Sequence, residues 1–426
     1  MEFSGKRPGT PSARRQAASP NSVSVLRWSR LIGALVVSAC HYYPPSKPAE
    51  PVDVQPVEWT SVIHYLDSVT AQGAAPGVVL GVSQRGHRFV YGTGHLGEGD
   101  STRPDGETIY DLASLTKVIA LTTMTMFAVQ NGKLELDTPV WRYVPAFRGE
   151  AKDSITIRML LMHASGLPAW RPLYRETRSR AAALALVDTT ALTSKPGSHF
   201  EYSDLGAIVL TQAVEAVLGH RIDTLATREI FTRLGMQSTR YLPPSSWVSR
   251  IAPTEDDPWR GRMLRGEVHD ENASRLEGVS GHAGLFSDAD DLLTFAEWLL
   301  SQEDRGIVSG EKARSCLDAP LSAPSLLPGV LAEFTRRQRL VPGSSRALGW
   351  DTPSEGSSAG NRLSEHAFGH TGFTGTSIWI DPDRCLAIVL LSNRVHPTRE
   401  NNRWGPVRAQ VADRVVVTLD ASAASH

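Results

Sequence analysis

Apolar residues recur at helical spacing at Val62, Ile63, Leu66 and Val69, so the folded part of the chain is expected to open with a helix just after Trp59. The runs Gly77 to Val82 and Arg88 to Gly92 flank Gln84-Arg85-Gly86-His87 and predict a first β-hairpin. A long helical and turn-rich stretch follows, and Ser287 is expected to cap a helix from Ala289 to Leu300. Far downstream, Thr376 to Ile380 and Leu386 to Leu391 flank Asp381-Pro382-Asp383-Arg384 as a second hairpin, and an amphipathic segment from Val407 to Val417 predicts a closing helix. Strands near both chain ends with a helical middle imply an α+β fold. The expectation is one antiparallel sheet formed from both ends, flanked by helices, with a mainly helical insertion at about 134–265. The folded domain is expected over 58–420, with a disordered tail at 421–426.

The first thirty residues carry Lys6, Arg7, Arg14, Arg15, Arg27 and Arg30 against Glu2. They run into the short apolar segment Leu31 to Val37 and then Ser38-Ala39-Cys40. A basic region followed by an apolar run too short to span a bilayer reads as a signal peptide at 1–39. The ending Val37-Ser38-Ala39-Cys40 resembles a bacterial lipobox, which implies a lipid on Cys40; the alternative is a plain secretory signal cut after Ala39. The Pro-rich stretch at 40–57 then serves as an extended tether, and the mature protein is expected in the cell envelope or periplasm, held to a membrane by its lipid. Hydrophobic content of 41%, charged content of 21% and a net charge of -1 describe a globular chain and give no electrostatic case for nucleic acid. Cys316 and Cys385 are expected as two buried thiols; the compartment permits a disulfide between them, but the sequence does not derive one.

The chemistry centres on Asp111-Leu112-Ala113-Ser114-Leu115-Thr116-Lys117. Residues i and i+3 share a helix face, so the Lys117 amine can reach the Ser114 hydroxyl, a weak nucleophile until a neighbour activates it. The pattern alone is unspecific, since Ser309-Gly310-Glu311-Lys312 also fits. Downstream lie Tyr202-Ser203-Asp204, whose pattern recurs at Tyr65-Leu66-Asp67, and the Gly-rich strand entry His370-Thr371-Gly372-Phe373. The stretches Glu267 to Asn272 and Gly278 to Phe286 read as a glycine-rich loop near a cleft, because no His-Glu-x-x-His spacing marks them as a metal site. His163, His366 and His396 are expected to be structural.

The order Ser-x-x-Lys, Tyr-x-Asp, His-Thr-Gly, together with Thr156 to Pro168, resembles the serine beta-lactamase and penicillin-binding-protein superfamily. The similarity is greatest to its class C-like branch of beta-lactamases, D-peptidases and esterases, over about 59–419. The resemblance implies Ser114 as the acylated nucleophile, Lys117 as its partner and Tyr202 as a second base. It also implies an oxyanion hole from the backbone N–H groups of Ser114 and Phe373, and substrate contacts from Asp204, His370, Thr371 and Gly372. Neither a metal nor an organic cofactor is required. Asp204 stands where Asn is common and His370 where Lys is common. An ionised Asp204 can only accept and would attract Lys117, and a histidine near its ordinary pKa of about 6.5 would read substrate charge in a pH-dependent way. The implied activity is hydrolysis of an ester or a D-amino-acid-containing peptide through an acyl-enzyme. The alternatives are a D-Ala-D-Ala carboxypeptidase, a class C-like beta-lactamase, or an envelope sensor that acylates without turnover.

Overall fold

The computed structural model describes residues 57–302, 307–308, 311–312, 316–317 and 323–424. The signal segment, Cys40, nearly all of the tether, Ser309 and the last two residues lie outside these. The chain begins with α1 (Thr60–Ala71), then β1 (Gly77–Gln84) and β2 (His87–Gly94). Arg85 and Gly86 both have positive φ, 51° and 82°, the backbone that a two-residue hairpin needs to match strand twist. From the other end of the chain come β6 (Phe368–Thr371), β7 (Ser377–Asp381) and β8 (Leu386–Ser392). These five strands form one sheet in the order β6-β7-β8-β1-β2, every pairing antiparallel, with β1 on β8 joining the two chain ends in the register Leu80 to Leu390.

Helices cover both faces of this sheet, which is why β1 and β8 read as nearly unbroken apolar runs rather than alternating ones. On one face α1 packs beside the closing helix Gly405–Ala424, burying Val62, Leu66, Val411 and Val415 against Val78, Leu80, Ile388 and Leu390. On the other, the helix Ala289–Gln302 lays Leu292, Leu293 and Phe295 against Val79, Val389 and Leu391. That second core runs without a break into the helical layer, through Leu115 and Ile119 to Ile208 and Leu225.

Four boundaries differ from expectation. The helical layer begins at Lys117–Gln130, not near 134, because the helix that carries Lys117 packs against Asp204–Leu218. Within the span taken as the helical insertion, β4 (Arg240–Tyr241) pairs with β5 (Leu285–Ser287), which also holds β3 (Tyr110–Asp111), in a small three-stranded sheet. Ser287 belongs to that strand, and the cap of the following helix is Asp288, whose carboxylate accepts from the Asp291 N–H at 2.9 Å. The last helix continues to Ala424, past its last buried residue Leu419, because Ala421, Ala423 and Ala424 are strong helix formers. Cys316 and Cys385 are also not two thiols: they form a disulfide, with Cα atoms 5.4 Å apart. Among the described residues no single helix is long and apolar enough to cross a membrane.

Candidate active site

Ser114 sits at the end of a tight turn that several elements hold in place. Ala113, immediately before it, has φ of 45°, a left-handed conformation that a residue with a Cβ adopts at a cost of about 1–3 kcal/mol. The buried Asp111 carboxylate supports this strained residue, accepting from the Ala113 N–H at 2.8 Å and from the His269 N–H at 2.7 Å. Burial raises the Asp111 pKa against those two donors. The carbonyls of Asp111 and Leu112 accept from Thr374 Oγ1 at 2.7 Å and Thr376 Oγ1 at 3.0 Å, which clamps the Ser114 turn to the loop carrying Phe373. Gly372 is required there, since a Cβ would stand 2.1 Å from Thr376 Oγ1 and 2.5 Å from the Leu112 carbonyl oxygen. Among the described residues, neither the Ser114 N–H nor the Phe373 N–H has a protein acceptor.

Beyond Ser114 the helix starts with a π-turn, Lys117–Thr122, and buries Lys117. Its amine donates to Ser114 Oγ at 2.9 Å and to the His282 carbonyl at 2.9 Å, and stands 2.7 Å from Asp204 Oδ1. Burial pulls its pKa down, but the Asp204 carboxylate and then the Tyr202 phenol pull it up by more, so the net shift is upward and Lys117 is an ammonium at neutral pH. The attraction between Asp204 and Lys117 expected from the sequence is therefore present.

Tyr202 is positioned by the stretch that includes His163 and Pro168. Ser203 caps the helix Asp204–Leu218 by accepting from the Gly206 N–H at 3.1 Å, while its hydroxyl donates to the Pro168 carbonyl at 2.8 Å. His163 Nδ1 accepts from the Ser203 N–H at 3.1 Å, and its ring lies 4.4 Å from that of Tyr202. His163 thus supports the site directly. The Lys117 amine is 5.0 Å from the Tyr202 ring centroid, and the buried Tyr202 hydroxyl has no hydrogen-bond partner among the described residues. The chance match Tyr65-x-Asp67 lies elsewhere, with Asp67 accepting from Tyr91 and Thr93.

Ser114, Tyr202, Asp204, His370, Thr371, Gly372 and Phe373 all line one cleft of about 740 Å³. His370 is buried; its Nδ1–H donates to the Thr371 carbonyl at 2.8 Å, leaving Nε2 as an acceptor without a partner among the described residues. Burial first, then the charges of Arg346 and Lys117, push its pKa well below the ordinary value. The expectation of a charge reader titrating near neutrality is therefore corrected: the imidazole is neutral there.

Cationic charge in the cleft belongs to residues that sequence reasoning missed. Arg408, in the first turn of the closing helix, donates to the Gly372 carbonyl at 2.6 Å, and Arg394 donates to the carbonyls of Phe373, Arg399 and Asn401. Among the described residues neither has a carboxylate within 4.0 Å. Only the fold brings them beside the His-Thr-Gly strand. Asp111 had a visible signal, an acid set three residues before Ser114 in an apolar run. The glycine-rich loop lies at the cleft as expected, but its side chains already have protein partners: His282 bridges Asp270 at 2.9 Å and Ser280 at 2.7 Å within the loop, and His269 meets Glu255, outside it, at 2.8 Å.

With this geometry in view, comparison with known proteins is decisive. A family model described as Beta-lactamase matches residues 62–413. The chain belongs to the beta-lactamase family. It is 32% identical over 357 residues to a Bacillus subtilis protein named N-acetylmuramyl-L-alanine amidase, covering 75% of this chain and 78% of that one. It is 31% identical over 335 residues to a Salmonella schwarzengrund protein named "Putative D-alanyl-D-alanine carboxypeptidase", covering 71% of this chain and 73% of that one. Its fold matches that of a class C beta-lactamase from Rhodobacter sphaeroides with a TM-score of 0.62 at 23% identity, over 84% of this chain and 99% of that one. This beta-lactamase-family chain is a serine hydrolase with the family's α+β fold.

Proposed function

We propose that this hydrolase is an exported, lipid-anchored amidase that cuts an amide bond at an alanine of bacterial cell-wall fragments through an acyl-enzyme on Ser114. The observation that carries the reading is the 2.9 Å contact between Lys117 Nζ and Ser114 Oγ inside a cleft that also holds Tyr202. Ser114 Oγ attacks the carbonyl carbon, and the oxyanion is received by the Ser114 and Phe373 N–H groups, free of protein acceptors. The Lys117 ammonium orients Oγ and offsets the developing charge. Tyr202 relays the proton: as its oxygen accepts from Ser114 Oγ its own phenolic proton goes to the leaving nitrogen, and in deacylation the same relay runs back, a proton from the attacking water replacing the phenolic proton that returns to Ser114 Oγ. The amide reading draws on the two named relatives, and the export reading on the lipobox and on a disulfide suited to an oxidising compartment.

A second reading, removal of a terminal D-alanine, is favoured by Arg394 and Arg408, whose charge a free carboxylate would complement. The test is a panel of muramyl dipeptide, a D-Ala-D-Ala peptide, nitrocefin and p-nitrophenyl acetate. Sustained release of the alanyl peptide from muramyl dipeptide is expected. Ser114→Ala should lose at least about a thousandfold in rate, and a fluorophosphonate should label Ser114 only. Activity surviving in Ser114→Ala refutes the assignment, D-alanine release selects the second reading, and one stoichiometric acylation without turnover indicates a sensor. Protein extracted from membranes should have the intact mass of a lipidated form beginning at Cys40.

A further inference from the structure

Two large apolar rings are left exposed near one another, the first of them in the cleft: Trp170 is 45% exposed and Trp259 is 38% exposed. Between them lies the buried ring of Tyr174, with its centroid 6.3 Å from Trp170 and 4.7 Å from Trp259. The three rings make one strip whose inner end, Trp170, lines the cleft that contains Ser114.

The backbone beneath these rings is pinned. The carbonyl of Ala169, next to Trp170, accepts from the Asp204 N–H at 2.9 Å, so this end is registered against the start of the helix Asp204–Leu218. Asn272 holds the intervening segment, donating to the Arg171 carbonyl at 2.8 Å and accepting from the Tyr174 N–H at 3.2 Å. At the outer end the Trp259 N–H donates to Asp257 Oδ1 at 2.6 Å, and the Arg260 and Arg275 guanidinium groups pack 5.3 and 6.0 Å from the indole centroid. These indoles are exposed yet held, and an exposed apolar surface with a fixed shape marks a binding site.

We propose that Trp170 and Trp259, joined through Tyr174, form a saccharide-binding strip that receives the N-acetylhexosamine part of the substrate, resting on the cell-wall amidase reading above. A pyranose offers an apolar face of C–H groups that stacks on an indole, and a rim of hydroxyls that needs acceptors. The same cleft is lined by Asp270, whose Oδ1 is held by the Ala273 N–H and by His282 and whose side chain stays 24% exposed, which leaves its other oxygen to accept from a sugar hydroxyl. An apolar peptide side chain would use the indoles but could not donate to that remaining oxygen.

The experiment compares kcat/KM for muramyl dipeptide and for its sugar-free analogue, D-lactoyl-L-alanyl-D-isoglutamine, which contains the same scissile amide. The wild type should prefer the sugar-bearing compound. Trp170→Ala should lower that preference about tenfold, the size of one lost aromatic stacking contact, and Trp170→Phe should restore much of it. Trp259→Ala should act on a disaccharide-bearing fragment more than on the monosaccharide. Equal losses on both compounds, or no loss, overturn the strip. Should the wild type cleave p-nitrophenyl acetate but neither amide, the amidase reading falls and the strip is judged by binding alone. A saturable change in tryptophan fluorescence with N,N′-diacetylchitobiose in Ser114→Ala, absent when Trp170→Ala is added, sustains it, and no change refutes it.

Discussion

The two walls of the cleft treat charge in opposite ways. On the wall built from the Ser114 turn and the helix Asp204–Leu218, the buried ammonium of Lys117 meets a carboxylate at 2.7 Å and two further oxygens at 2.9 Å. On the wall built from the His-Thr-Gly strand and the start of the closing helix, Arg394 and Arg408 donate only to backbone carbonyls. Arg408 is buried without a nearby carboxylate and Arg394 feels Glu255 only from beyond 4.0 Å, so burial pulls both guanidinium pKa values down and leaves them short of counter-charge. The paired wall is complete before substrate arrives and sets what reaction can occur. On the unpaired wall a substrate carboxylate would supply the missing counter-charge, a role that substitution of Arg408 tests.

The largest effect should come from breaking the paired wall. Lys117→Met removes the donor to Ser114 Oγ and leaves Asp204 without its cation. The expected loss is a thousandfold or more in kcat, with little change in KM for a neutral ester. A variant with kcat within tenfold of wild type would mean that Tyr202 alone activates the serine. The change should not unfold the protein, because Asp204 keeps 20% of its side chain exposed and can be solvated; circular dichroism checks this.

The next effect should come from the unpaired wall. Arg408→Met is expected to raise KM for a carboxylate-bearing substrate about tenfold, the scale of one charge-assisted contact, and to leave its kcat nearly unchanged. Arg408→Lys should recover part of that loss. Equal effects on neutral and anionic substrates would show that Arg408 only braces the Gly372 carbonyl, to which it donates at 2.6 Å.

What could be read from the sequence divides along the same line. The paired wall is local: Ser114 and Lys117 are one helical turn apart, and Tyr202 and Asp204 flank a Ser that caps the next helix, so spacing and capping rules expose them. The sheet was legible for a similar reason, since both hairpins announce themselves by turn residues between apolar runs. The unpaired wall is assembled from distant segments. Arg394 follows a strand and Arg408 opens a helix, and each looks like an ordinary surface cation until β6 and the closing helix meet. His370 was assigned the charge-reading role because its position beside the oxyanion hole was visible while its burial was not. The disulfide was hidden for the same reason, as partner choice depends on Cα separation rather than on spacing along the chain.

The smallest effect separates these two candidate charge readers by pH. Burial, Arg346 and Lys117 hold the His370 pKa well below 6.5, so its charge does not change between pH 6.5 and 9. Arg408 is pushed down to about 10, by burial first and then by Arg394, and stays cationic through that range. The ratio of kcat/KM for a carboxylate-bearing ester to that for its neutral analogue should therefore be flat from pH 6.5 to 9 and fall as pH approaches 10. The stability linkage has the opposite direction. A histidine whose folded pKa is depressed contributes fully above its unfolded value of about 6.5, and that contribution is lost as pH falls toward the folded value. His163 and His396 share this direction, mainly through burial, so the free energy of unfolding should decline below about pH 6.5. His370→Asn should make that decline shallower while leaving the substrate ratio flat. A ratio that instead falls between pH 6 and 8 in the wild type, and becomes level in His370→Asn, would return charge reading to the imidazole and leave Arg394 and Arg408 as braces for the oxyanion loop.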